Sequence, residues 1–210
     1  DDYACLAEGY LALFEAGENV VWLDRAIQLV DEARARFAAP KGGFYAGDVP
    51  APFERMVALE DGAEPSGNAV LIRVLSRLAH VGTRAVEWNA LATQALAHYA
   101  GTIREHGIDM GGWLDAALLD AGPFYEVVIA GPSSTAMDRV LREVSAPWTT
   151  SIHVPAGGAN APLVERLPGV AGKTSASDVP RAFVCERGAC KAPTTDANAL
   201  RRQITAGWMH

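Results

Sequence analysis

Residues 1–37 read DDYACLAEGYLALFEAGENVVWLDRAIQLVDEARARF, and their hydrophobic spacing decides the fold class. Tyr3, Leu6, Ala7, Tyr10, Leu11 and Phe14 recur every three or four residues, as on one face of a helix. Asp1 or Asp2 can cap that helix. Residues Glu15 to Asn19 interrupt the pattern, and Gly17 suits a C-terminal cap. A second stripe, Trp22, Ala26, Leu29, Val30, Ala33 and Phe37, predicts a helix over 20–37. Helix, short turn, helix is an antiparallel hairpin.

The same pattern returns further on. Gly42-Gly43 marks a turn, and Phe44-Tyr45 is expected to start a short strand. Residues 46–65 form a long loop with proline and glycine, a length that is often functional. Ser66 can cap a helix running to about Val81, with Val70, Val74, Leu75 and Leu78 inward, while Pro65 keeps Glu64 extended. After Gly82 a partner helix is expected from Ala85 to His106, with Trp88, Leu91, Ala92, Ala95, Leu96, Tyr99 and Ile103 as its stripe. A fifth helix is expected over 111–120. Five helices in hairpin order suggest an α/α repeat.

The pattern changes at Gly122-Pro123. Residues 125–130 (YEVVIA), 149–154 and 182–185 read as strands, and 135–144, 160–167 and 196–205 as helices. Strand alternating with helix predicts a small parallel sheet. The expected fold is therefore mainly α: helical hairpins over 1–122, then a small α/β segment over 123–210.

Bulk properties narrow the function classes. Half of the 210 residues are hydrophobic and a fifth are charged, as in a globular chain. The net charge of −7 is uneven: residues 1–123 carry 18 acidic and 9 basic side chains, residues 124–210 carry 7 and 9. An acidic surface repels phosphate backbones, so nucleic acid is not an expected partner. No apolar run approaches the roughly 20 residues a membrane-spanning helix needs, so no membrane is expected either. The three cysteines are Cys5, Cys185 and Cys190; an odd count and no signal-peptide pattern lead us to expect a reducing, cytoplasmic location. Asp1-Asp2-Tyr3 runs straight into a helical pattern, which leads us to expect that these residues continue a longer chain.

Four blocks occur in a distinctive order. They are Asp1-Asp2-Tyr3-Ala4, Asp61-Gly62-Ala63-Glu64-Pro65-Ser66-Gly67-Asn68, Glu126-Val127-Val128-Ile129, and Cys185-Glu186-Arg187-Gly188-Ala189-Cys190 with Pro193-Thr194-Thr195. In these the chain resembles, over essentially all its residues, the C-terminal region of the thioredoxin-domain-containing proteins related to spermatogenesis-associated protein 20. That resemblance implies an N-terminal thioredoxin-like domain followed by an (α/α)6 toroid similar to six-hairpin glycosidases and N-acylglucosamine 2-epimerases. The thioredoxin-like part and the early hairpins would lie outside these residues. A partial toroid exposes apolar helix faces, to be covered by the rest of the protein or by a second copy in a homodimer.

The resemblance makes Asp61 and Glu64 the candidate acid/base residues of a carbohydrate site, since paired carboxylates flank a glycosidic bond in such enzymes. Asp2, Tyr3, Ser66 and Asn68 are the candidate substrate-binding residues, and a sugar is the expected ligand. The structural alternative is that Ser66 caps its helix, Glu64 and Asn68 satisfy backbone groups, and Asp1 and Asp2 complement a helix dipole. Cys185 and Cys190 are redox candidates. Their spacing is not that of a CxxC thiol pair, and two small residues packed across a turn is the alternative. The five histidines show no metal-ligand spacing, so no metal or cofactor is expected. Gly131-Pro132-Ser133-Ser134 lacks phosphate-loop patterning and reads as a helix cap. The rival function is a non-catalytic scaffold for a thioredoxin-like redox module.

Overall fold

The computed structural model describes residues 1–17, 19–47, 55–82, 84–144, 148–175 and 178–207. The chain divides into two units, 1–79 with 84–121 and 80–83 with 122–210. Among the described residues no helix is long and apolar enough to cross a membrane.

The first unit is built on α1 (Asp2–Gly17), α2 (Val20–Phe37), α3 (Gly67–Val81), α4 (Ala85–Glu105) and α5 (Gly111–Ala121). The side chain of Asn19 accepts the N–H of Val21 at 3.1 Å and so starts α2. α1 buries Ala4, Ala7, Leu11 and Phe14 and packs against α2, which buries Leu23, Ala26, Val30 and Ala33. Ala26, Val30 and Ala33 are buried as the spacing predicts, but Leu23 rather than Trp22 heads the buried stripe. Trp22 is half-buried and stacks on Tyr10, with ring centroids 5.6 Å apart.

α3 is the central helix. Ala69, Val70, Leu71, Ile72, Val74, Leu75 and Leu78 are all buried, so it is apolar nearly all round. Its two arginines sit on one flank. Arg73 donates to Glu8 at 2.7 Å and Arg77 to Glu15 at 2.5 Å, both on α1. Arg84, just before α4, donates to Asp31 of α2 through two nitrogens, at 2.8 and 2.9 Å. It also pairs with Glu87 and lies 3.9 Å over the Trp88 ring.

Residues 38–47 fold back onto this core. Phe44 forms only an isolated bridge to Ala38, not the expected strand. Gly42 has φ +108°, and a Cβ there would lie 3.0 Å from the Cα of Ala95 on α4. Both the dihedral and the close approach require glycine.

The second unit contains β1 (Tyr125–Ala130), α6 (Thr135–Val144), β2 (Thr149–Val154), α7 (Ala161–Arg166), β3 (Arg181–Glu186), β4 (Ala189–Cys190) and α8 (Ala197–Thr205). The sheet order is β2-β1-β3-β4. β1 and β2 are parallel, joined through α6, but β3 runs antiparallel to β1 and β4 antiparallel to β3. The sheet is thus mixed, correcting the expected parallel one. Among the described residues between β2 and β3 stand the six-residue α7, a 3₁₀ turn at Pro168–Val170 and irregular chain. β3 returns to the free edge of β1 in the opposite direction, and alternation of strand and helix along a sequence carries no sign of direction. Arg187 and Gly188 have φ +49° and +80°, the positive pair that a two-residue hairpin needs to turn β3 into β4.

One face of the sheet buries Tyr125, Val127, Ile129, Ala182 and Val184 against Met137 and Val140 of α6 and Leu200 and Ile204 of α8. Asn160 and Asp196 cap α7 and α8 through their side chains.

Candidate functional site

The start of α3 gathers the conspicuous residues of the sequence. Asp61 Oδ1 accepts the N–H of Ser66 at 2.8 Å, and Oδ2 accepts the N–H of Gly112 in the first turn of α5 at 2.7 Å. Ser66 Oγ accepts the N–H of Ala69 at 3.2 Å, a helix cap. Asp1 Oδ1 accepts the N–H of Gly67 at 3.0 Å. Helix starts leave N–H donors unpaired and carry partial positive charge, so carboxylates settle there.

Asn68, 6% exposed, reaches the other way. Its Oδ1 accepts the N–H of Phe44 at 2.7 Å, and its Nδ2 donates to the carbonyls of Phe44 and Ala58, each at 2.9 Å. The amide therefore acts as a short length of strand that fixes the 44–47 loop beside α3. Trp113 Nε1 donates to the carbonyl of Leu59 at 3.0 Å and holds the following stretch.

These anchors enclose a cavity of about 250 Å³ between the start of α1, the end of α2, residues 44–47 and the start of α3. Asp1, Asp2, Tyr3, Phe37, Tyr45 and Asn68 line it, over an apolar floor that includes Ala33 and Leu71. Tyr3 meets Phe37 edge-on at 5.5 Å, and its hydroxyl accepts from Arg36 at 2.6 Å. Arg55 lies 4.2 Å over the Tyr45 ring and donates to the carbonyls of Gly47 and Arg36. The lining thus combines two aspartates with aromatic rings that contact Arg36 and Arg55.

Of the residues singled out from sequence, Asp2, Tyr3 and Asn68 come together in this cavity. Asp61, Glu64 and Ser66 are not among its lining residues. Glu64 is exposed, and its main-chain carbonyl accepts the N–H of Gly62 at 2.9 Å. Sequence reasoning assigned no ligand role to Phe37 or Tyr45. Phe37 looks like ordinary helix core and Tyr45 like strand, and no local signal shows that the Tyr45 N–H donates to the Phe37 carbonyl, at 2.7 Å, and brings them together. Among the described residues no group of three or more His, Cys, Asp or Glu side chains could hold a metal ion.

In the second unit Cys185 and Cys190 are joined by a disulfide across the β3–β4 hairpin, while Cys5 is free and exposed.

No protein-family model matches the chain. Among curated proteins it is similar to spermatogenesis-associated protein 20 of Homo sapiens, 28% identical over 217 positions that cover 97% of this chain and 27% of the human protein. The proteins of the same name from Mus musculus and Rattus norvegicus are 27% and 25% identical over the same share of each chain. The chain spans 27% of the length of the curated relatives it matches.

Proposed function

We propose that the first unit is part of an (α/α)6 toroid whose cavity binds a sugar, with ligand binding rather than glycoside hydrolysis as its role. The observation that carries this reading is the cavity lining, which brings the acidic residues Asp1 and Asp2 together with the aromatic residues Tyr3, Phe37 and Tyr45. Sugars offer hydroxyls to such acceptors and apolar C–H faces to such rings. A volume of about 250 Å³ is below that of drug-sized sites, which start near roughly 300 Å³, and so suits one small ring.

Hydrolysis would need two carboxyl groups on opposite sides of a bond, about 5–9.5 Å apart. Asp1 and Asp2 are consecutive at one helix start, and both oxygens of Asp61 already accept backbone N–H groups. Binding is the reading with fewer requirements.

The toroid part of the proposal draws support from apolar side chains left open. Leu6 and Leu13, seven apart on α1, are 53% and 48% exposed, and Leu114 and Leu118, four apart on α5, are 48% and 43% exposed. Each pair shares a helix face. The earlier hairpins of a longer chain that also carries a thioredoxin-like domain would cover such faces.

A thermal-shift panel of mono- and disaccharides tests the reading. A concentration-dependent rise in Tm for one small class of sugar is the expected result. A flat panel on protein that melts cooperatively would overturn it.

A further inference from the structure

One straight row of side chains crosses all four strands of the second unit. Thr150 on β2 pairs with Glu126 on β1, Glu126 with Cys185 on β3, and Cys185 with Cys190 on β4. Paired residues point to the same face, with Cβ atoms about 4.5–5.5 Å apart. Tyr125 and Val127 take the face covered by α6 and α8, so the row lies on the opposite face. There the disulfide residue Cys185 occupies the register position next to Glu126.

Glu126 is half-buried. A Cβ on Gly169, in the 3₁₀ turn, would come within 2.8 Å of Glu126 Oε2, so the turn lies against it. The ammonium of Lys173, a residue 8% exposed, donates to the carbonyl of Gly169. Burial raises the Glu126 pKa, and the Lys173 charge acts against this; burial lowers the Lys173 pKa, and Glu126 acts against that. Such a pair costs desolvation that two apolar residues would avoid. The two residues differ in burial: Cys185 is buried and Cys190 exposed. Tyr125 and Val184 belong to the other face, as does Lys191, whose ammonium sits over the Tyr125 ring. Glu186 pairs with Ala189 one register position beyond the disulfide, and Arg187 forms the exposed turn.

We propose that Cys185–Cys190 is an exchangeable disulfide that oxidises a protein dithiol, with Glu126 as the proton donor to Cys185. A thiolate of the dithiol attacks the exposed Cys190 Sγ. The Cys185–Cys190 bond breaks, and its electron pair goes to Cys185 Sγ. Glu126 passes its proton to that sulfur, and the carboxylate left behind faces the Lys173 ammonium. The second thiolate of the dithiol then attacks the mixed disulfide and releases Cys190, which takes a proton from water. The dithiol leaves as a disulfide, and Cys185 and Cys190 remain as thiols. Donation requires the protonated acid, so exchange per attacking thiolate falls as pH rises through the raised Glu126 value.

The test is reduction of the folded protein by dithiothreitol, followed by alkylation and mass measurement. Oxidised protein should label once, at Cys5, and reduced protein three times. Glu126→Gln should lower the rate constant, expressed per dithiothreitol thiolate, by about tenfold or more and abolish its pH step. Lys173→Met provides a second variant should Glu126→Gln fold poorly: removing the ammonium should move the step to higher pH. A disulfide that millimolar dithiothreitol leaves intact in folded protein overturns the exchange. A wild-type rate in Glu126→Gln, or an unmoved pH step in Lys173→Met, overturns the role of Glu126.

Discussion

Asp61 Oδ2 accepts the N–H of Gly112 at 2.7 Å across 51 positions of chain, and so ties the entry of α3 to the first turn of α5. The other oxygen, 2.8 Å from Ser66 N, serves α3 itself. One carboxylate thus satisfies open donors beside two helix starts, and a Cβ on Gly112 would come within 3.1 Å of it. Asp61→Ala should lower the unfolding free energy by about 2 kcal/mol, one cap at each helix, and Asp61→Asn by about half of that. Urea unfolding measures both. Unchanged stability in Asp61→Ala would show that the clamp contributes nothing.

Asn68 ties the 44–47 loop to α3 through two buried hydrogen bonds to Phe44 and holds Ala58 through a third, part-buried one. Asn68→Ala would leave the Phe44 N–H, the Phe44 carbonyl and the Ala58 carbonyl without this partner. The expected loss is about 3 kcal/mol, since buried unpaired groups cost more than an average bond gains. Asn68→Asp keeps one acceptor and loses both donors, so it should not restore the wild-type midpoint. Chemical denaturation of the two variants checks this, and a loss under about 1 kcal/mol in Asn68→Ala would contradict the geometry.

Glu87 is held by Arg84 and Arg34, and its pKa falls to about 2 from 4.5; the side-chain hydrogen bond from Arg84 is the largest cause. The hydrogen bonds to Glu87 and Asp31 raise the Arg84 pKa. A depressed carboxyl pKa means that the unfolded chain binds the proton more readily. Its stabilising effect is complete above pH 4.5 and is lost as pH falls through about 2. The side chain is 37% exposed, so solvent screening limits the effect to about 1 kcal/mol or less. Unfolding free energies at pH 5.5 and pH 2.5, compared between wild type and Glu87→Gln, should show a shallower pH dependence in the variant. Equal slopes would contradict the pairing.

The helices were legible because each has a local signal. Gly17 and Asn19 bracket the first turn, Ser66 caps α3, and the apolar spacing in between is helical. In α2 the expected Ala26, Val30 and Ala33 are buried, but the first anchor differs, because Trp22 resembles a core residue whereas Leu23 fills the interior. The direction of β3 and the existence of β4 were not legible. Direction is set by the return of the chain across β1, and β4 has only two residues, specified by the Arg187-Gly188 turn. Ser66 announces its cap through neighbours three positions away. The bond from Asp61 to Gly112 and the assembly of Tyr3, Phe37 and Tyr45 depend on residues far apart in sequence. No periodicity can report such contacts. The Glu126–Lys173 pair escaped notice for the same reason, because burial rather than motif makes it unusual.

Titration calorimetry with the sugar that raises Tm most tests the central claim, that the cavity is the binding site. Ala46 is exposed and lines the cavity mouth, so Ala46→Trp blocks the space without entering the core. Glu64 lies outside the lining, so Glu64→Gln serves as the comparison. The account predicts that wild type and Glu64→Gln bind alike and that Ala46→Trp, folded normally, does not bind. Loss of binding in Glu64→Gln with retention in Ala46→Trp would contradict it and return the site to the Asp61–Asn68 loop.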